Sequence, residues 1–202
     1  MSFDRTAPRM PREARRAQLI DAARNVFVAQ GYHAAAMDDI ADRAGVSKPV
    51  LYQHFPGKLD LYLALLELSG DQLIEAVRAA LASTSDNRDR VQAAVGAYFE
   101  FVNDPDGAYR LVFESDLTNE PSVRDRVEAV EDACTIAIAH VIAEDTDLSE
   151  DEATLLAIAI AGTAETAARR WLREGKVIPI GHAVALVNRL VWRGISGVPR
   201  SH

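Results

Sequence analysis

Apolar residues return every three or four positions along almost the whole chain, and polar or glycine-bearing breaks divide that pattern into helices. Residues 12–30 carry Leu19, Ala22, Ala23, Val26 and Phe27 on one side, with Gly31 as the expected stop. Two short helices follow, the second opening near Ser47. The turn Pro56-Gly57 precedes a leucine-dense helix over 58–81, whose Leu59, Leu61, Leu63, Leu65, Leu66, Leu68 and Leu73 would bury more than one face. A polar break at 83–88 leads to a helix with Val91, Val95, Tyr98 and Val102, and the run from Asn103 to Gly107 ends it. A sixth helix carries Tyr109, Val112, Phe113 and Leu117. After Pro121, Val123, Val127, Val130, Cys134, Ile138 and Val141 mark a seventh. Ser149 and Glu152 form a capping box for an eighth, reaching about 174, and a ninth runs from about 179 to 195. No segment alternates like a strand, so the expected class is all-α.

The segment DDIADRAGVSKPVLYQHFPGK, residues 38–58, carries chemistry beyond packing. Ile40, Ala41 and Ala44 face one way on the first short helix, and Gly45 suits a left-handed turn. Val46 plugs the turn, and Ser47 is a suitable N-cap. Pro49 falls in the first helical turn, where a missing N–H costs nothing. Val50, Leu51 and Phe55 supply the apolar side of the next helix. A helix-turn-helix needs a small residue where its helices cross, a glycine in the turn and a buried aliphatic beyond, and Ala41, Gly45 and Leu51 meet that demand. Such a unit offers its second helix to the DNA major groove. The plainer alternative is an ordinary helical hairpin.

Composition sets limits. Of 202 residues, 49% are hydrophobic and 26% charged, ordinary values for a folded soluble domain or two. No run is long and apolar enough to span a membrane. The basic start lacks an apolar leader core, and the single Cys134 allows no internal disulfide; a cytoplasmic location is expected. The net charge of −8 is unevenly spread: residues 1–60 hold nine Lys/Arg against seven Asp/Glu, the remainder thirteen against twenty-three. Arg5, Arg9, Arg12, Arg15 and Arg16 form a basic front, which orients a molecule on a polyanion.

Gly31-Tyr32 closing the first helix, the block at 38–58 and the leucine-rich fourth helix together resemble the TetR family of transcriptional regulators, of the actinobacterial TetR/AcrR type. The close resemblance covers about residues 12–66. One position departs from it: Ala34-Ala35-Ala36-Met37 stands where the family usually has a Thr or Ser that caps the second helix and touches a phosphate. The resemblance implies a three-helix DNA-binding head over 1–57, with 1–11 as a flexible basic arm, and an effector-binding and dimerisation body over 58–202.

Chemistry and the family motif together assign roles at the DNA. Ser47 and Lys48 open the recognition helix and suit a phosphate. Val50 could meet a thymine methyl, Pro49 could pack against sugar or base edges, and Gln53 could read adenine. Tyr52 and His54 offer hydrogen bonds to phosphates, Lys58 resembles the family's backbone anchor, and Arg12, Arg15 and Arg16 add charge beside the motif. The double-stranded operator is expected to be palindromic, read by a homodimer, and repression released by a small molecule is the family's usual mode.

For that unidentified, mostly apolar effector, helices four to eight offer Tyr98, Phe99, Phe101, Tyr109, Phe113, Cys134, His140, Thr163, Glu165, Thr166 and Trp171, although aromatics at helical spacing serve equally as core. Glu165 also stands four residues before Arg169, a pairing distance. Helix eight is apolar nearly all round, and helix nine has two stripes, one with Ala183, Leu186 and Leu190. A four-helix bundle between two copies is expected, with Leu155, Ala159, Gly162, Ala167, Val184, Val187 and Val191 as interface candidates. No cofactor is expected and no enzyme: the chain lacks a P-loop, a nucleophile elbow and HExxH, and His33, His54, His140, His182 and His202 lack ligand spacing. The competing class is a helical dimer that binds a ligand or protein but no longer reads an operator.

Overall fold

The computed structural model describes residues 10–114, 117 and 119–195, so the first nine residues of the expected basic arm, Arg5 and Arg9 among them, lie outside the described residues. Nine helices and no strand are present among the described residues. The chain divides into two compact units after Leu65, inside the fourth helix and not at the Pro56-Gly57 turn before it.

The first unit holds α1 (Arg12–Ala34), α2 (Met37–Ala44), α3 (Lys48–His54) and the opening turns of α4 (Lys58–Ala82). Its core is Leu19, Ala23, Phe27, Ile40, Ala41, Leu51, Phe55, Leu61 and Leu65, each all but sealed from water. Tyr62 explains why the unit continues past the turn. Its ring stands edge-on to both Phe27 and Tyr32, with centroids 5.2 Å apart in each case. Gly31 breaks α1 as expected, at φ 76°, but a further turn follows before Ala35 closes back onto the Gly31 carbonyl.

The second unit contains the rest of α4, α5 (Asn87–Asn103), α6 (Tyr109–Phe113), α7 (Pro121–Asp145), α8 (Glu150–Arg173) and α9 (Ile180–Ile195). α7 packs along α8, and α5 packs against both α8 and α9. Val95, Phe99 and Val102 of α5, Cys134 and Ile138 of α7, and Ala157, Ile160 and Ala164 of α8 are all buried in the unit's core. Gly70 of α4 lets Val130 of α7 approach the backbone directly. Asp86 caps α5 by accepting from the Arg88 and Asp89 N–H groups at 2.9 and 3.0 Å. The expected capping box forms at α8, where the Ser149 N–H donates to Glu152 at 2.8 Å. That bond, and the Ser149 hydroxyl after it, hold the Glu152 carboxyl below the usual carboxylate range. α6 is shorter than the pattern predicts: it stops at Phe113, where Glu114 begins a polar run, and Leu117 is buried outside it.

Candidate nucleic-acid interface

α3 is only seven residues long, and its aim is fixed from outside. Leu51 is fully buried and Phe55 nearly so, which pins one side of the helix to the first unit's core. Gly45 takes the left-handed conformation, φ 65° and ψ 34°. Its N–H donates to the Asp42 carbonyl and the Val46 N–H to that of Ala41, both at 3.0 Å, closing α2 as the motif requires. The opposite side of α3 therefore faces solvent: Lys48, Pro49, Tyr52 and Gln53 are exposed, with Val50 and His54 half-buried.

Two capping expectations meet different outcomes. Ala36 heads α2 without any side-chain cap bond, as its sequence implied. Ser47 occupies the N-cap of α3 but makes no capping bond either. The Val50 N–H it would serve already donates to the Ser47 carbonyl at 3.0 Å, so the hydroxyl stays on the surface.

Arg12 and Arg15 share with Val50, Gln53 and His54 an open cleft of 560 Å³ at the junction of α1 and α3. Arg15 donates to Gln18 at 2.7 Å, and Gln18 in turn donates to the Ala44 carbonyl at 2.8 Å, which ties α1 to the end of α2. Arg16 lies over the Phe55 ring at 4.9 Å. Lys48 is held by Asp38, a partner the sequence did not suggest, at 2.6 Å.

Lys58 is engaged differently from the phosphate anchor it resembles. Its Nζ donates to the carbonyls of Tyr32 (2.7 Å), Ala35 (2.8 Å) and His33 (3.4 Å), and sits 4.4 Å above the Tyr32 ring. An ammonium has three protons, and all three are turned to the end of α1.

In the second unit, most of the predicted pocket residues are packed core. Tyr98, Phe99, Phe101, Tyr109, Cys134 and Trp171 are buried. Phe99 and Trp171 rings lie 5.6 Å apart, and Phe101 and Phe113 meet edge-on at 5.8 Å. Trp171 also donates to the Ile178 carbonyl at 2.7 Å. Burial pushes the Tyr98 hydroxyl far up and the Cys134 thiol up to about 11, so this hydrogen-bonded pair stays protonated and offers no charge. Glu165 pairs with Arg169 at 2.9 Å. Thr163 spends its hydroxyl on its own helix, donating to Ala159 at 2.7 Å. His140 and Thr166 lie on the surface, contrary to a pocket role, and His140 faces Glu144.

Phe99 and Trp171 border an open cleft of 340 Å³ with Ala167 and Leu186, and a more enclosed cavity lies elsewhere. A space of 70 Å³ is walled by Leu81, Ile138, Leu156, Ile160 and Trp192, with the Arg90–Asp145 ion pair (2.9 Å) beside them. None of the predicted effector residues lines it: its walls are the last turns of α4 and α7, the first turns of α5, and Leu156, Ile160 and Trp192 of α8 and α9.

On α8, Leu155, Ala159 and Gly162 share an exposed face with Ile158. Ala167 is half-buried beside Phe99 and Trp171. The stripe choice on α9 needs correction. Val184 and Val187 are half-buried and Val191 is buried, turned inward with Val184 facing Gly96 of α5. Leu186 and Leu190, 43% and 69% exposed, form the outward stripe instead.

Comparison with known proteins agrees with this architecture. Residues 19–65 match the family model for bacterial regulatory proteins of the tetR family, and residues 87–194 match a tetracyclin repressor-like C-terminal domain. The chain is 46% identical over 196 residues to the HTH-type transcriptional activator FasR of Mycolicibacterium smegmatis, covering 97% of this chain and 90% of that protein. The crystal structure of a TetR-like transcriptional regulator from Rhodococcus sp. RHA1 is 30% identical with a TM-score of 0.71, covering 94% of this chain and all of the other. FadR from Bacillus subtilis, solved in complex with stearoyl-CoA, shares the fold at a TM-score of 0.73 and 20% identity, over 89% of this chain and 98% of its own.

Proposed function

The chain belongs to the tetR family of bacterial regulatory proteins, DNA-binding transcriptional regulators and not enzymes, and from that premise we propose that it reads a palindromic operator as a homodimer through α3. The observation that carries this reading is the two-sidedness of α3. Leu51 and Phe55 lock one side, and Lys48, Pro49, Tyr52 and Gln53 are exposed on the other. Gln53 and Val50 then face base edges, while Lys48, Tyr52 and the Arg12–Arg15 cleft take phosphates. Two such helices must lie about 34–36 Å apart to enter successive major grooves, which requires two copies. The exposed α8 face with Leu155 and Ile158, together with Leu186 and Leu190 of α9, is the surface on which the second copy docks.

The effector is a small, mostly apolar molecule bound in the second unit, and the α4–α5–α7–α8–α9 cavity supports that chemistry. α4 is continuous through both units and is the element through which binding reaches the head. The site of action is the cytoplasm, and no helix among the described residues is long and apolar enough to cross a membrane. The likeness to a relative named an activator favours activation over the repression expected from the sequence. Sequencing the fragments that purified protein retains from sheared genomic DNA tests the reading. Enrichment of intergenic sites supports it, and uniform retention contradicts it.

A further inference from the structure

Lys48, the first residue of α3, does not meet solvent alone. Its ammonium lies 2.6 Å from the Asp38 carboxylate, which belongs to the first turn of α2, and both side chains are more than half exposed. Asp38 and, more weakly, Asp42 strengthen the hold of Lys48 on its proton. The segment from Met37 to His54 thus carries Asp38, Asp39 and Asp42 against Arg43 and Lys48, an acidic balance on the element that must approach a polyanion.

Folding gives little reason for this pair. An exposed ion pair contributes little to stability, and the N-terminus of α2 would favour Asp38 without any lysine. Binding gives a better reason. A phosphate can take Lys48 only by displacing Asp38, which leaves a carboxylate beside the DNA backbone. That exchange is favourable when a phosphate arrives at contact distance. It is unfavourable when a loosely docked duplex holds its phosphates a water layer or more away, because the attraction falls with distance and is screened by salt. Contact distance is reached when base contacts seat α3 fully in the groove.

Resting on the DNA-binding reading above, we propose that Asp38 is a specificity-determining residue: it keeps Lys48 from the phosphates of non-cognate DNA and releases it only on a duplex that fits α3. Lys48 is then an ion-pair partner in the free protein and on random sequence, and a phosphate contact on the operator.

The test compares wild type, Asp38→Asn and the double variant D38N/K48A. Each is titrated against a random-sequence 30-base-pair duplex and against a duplex enriched from a random library, over a series of salt concentrations. On random sequence, D38N should steepen the salt slope by about 0.9 per subunit, which makes binding about eightfold tighter per subunit at 0.1 M relative to 1 M. On the enriched duplex its slope should match wild type, and D38N/K48A should lose the gain on random sequence. Wild-type slope and affinity for D38N on random sequence would overturn the proposal, as would a gain that survives in D38N/K48A. Binding of neither duplex by wild type would instead sink the DNA reading itself. Circular dichroism confirms folding, and Asp38→Ser replaces D38N should that variant not fold.

Discussion

Replacing Lys58 by methionine separates two roles that the residue type alone leaves equal. The side chain keeps its length and apolar stem but loses the ammonium that donates three hydrogen bonds to the end of α1. The bonds to Tyr32 and Ala35 are short and part-buried, and that to His33 is long and exposed, so two contacts dominate. A hydrogen bond to a charged group contributes about 1.5–3 kcal/mol, and water recovers part of that at a part-buried carbonyl. The loss over the Tyr32 ring adds about 0.5–1 kcal/mol. The total expected cost is on the order of 2–4 kcal/mol, confined to the first unit. Hydrogen exchange resolved by peptide is the assay, because both tryptophans, Trp171 and Trp192, lie in the second unit. Amides of α1 and α4 around the clamp should exchange roughly 30-fold faster or more, as about 2 kcal/mol implies. The salt slope of binding to a random-sequence duplex should be unchanged. Unaltered exchange with a slope reduced by about 0.9 per subunit would refute the argument and return Lys58 to the phosphate backbone.

Further outcomes follow from packing and burial. Gly70→Ala places a methyl against Val130 Cγ2, and the overpacking cost of about 1–3 kcal/mol outweighs the helix-propensity gain of about 1. Urea unfolding should show a net loss that Val130→Ala reverses, and additivity in the double variant would contradict the contact. Cys134 should resist a thiol reagent at pH 8 in the folded state. Since burial raises its pKa from 9.0 to about 11, its contribution to stability is full below pH 9 and is lost as pH rises through about 11. Cys134→Ala should flatten that part of the stability profile. Leu155→Asp with Leu190→Asp puts charge on the exposed faces of α8 and α9 and should leave a folded monomer by sedimentation; an undisturbed dimer would place the interface elsewhere.

What was legible in the sequence was local. Gly45, Leu51, Pro49 and the Ser149–Glu152 box each have few geometries open to them, and each was found where the pattern put it. The seven-residue α3 was legible because its anchor residues and its exposed residues alternate within one turn of each other. Illegible features depend on partners far along the chain. Lys58 meets carbonyls as much as 26 positions earlier, and Arg90 meets Asp145 across 55. The α9 stripes are about equally apolar. What turns Val184 inward is the packing of α9 on α5, a contact with residues far back along the chain. Effector candidates chosen as aromatics were mostly core for the same reason, since only packing decides which aromatic faces a cavity.

The account turns on whether α3 reads bases. Selection of bound sequences from a random duplex library by the purified protein tests that directly. The account predicts an enriched palindrome with half-site centres about 10 base pairs apart, or a multiple of that spacing, lost when Lys48 and Tyr52 are both replaced by alanine. A folded protein that enriches no sequence, or that enriches the same one with the double replacement, would contradict it.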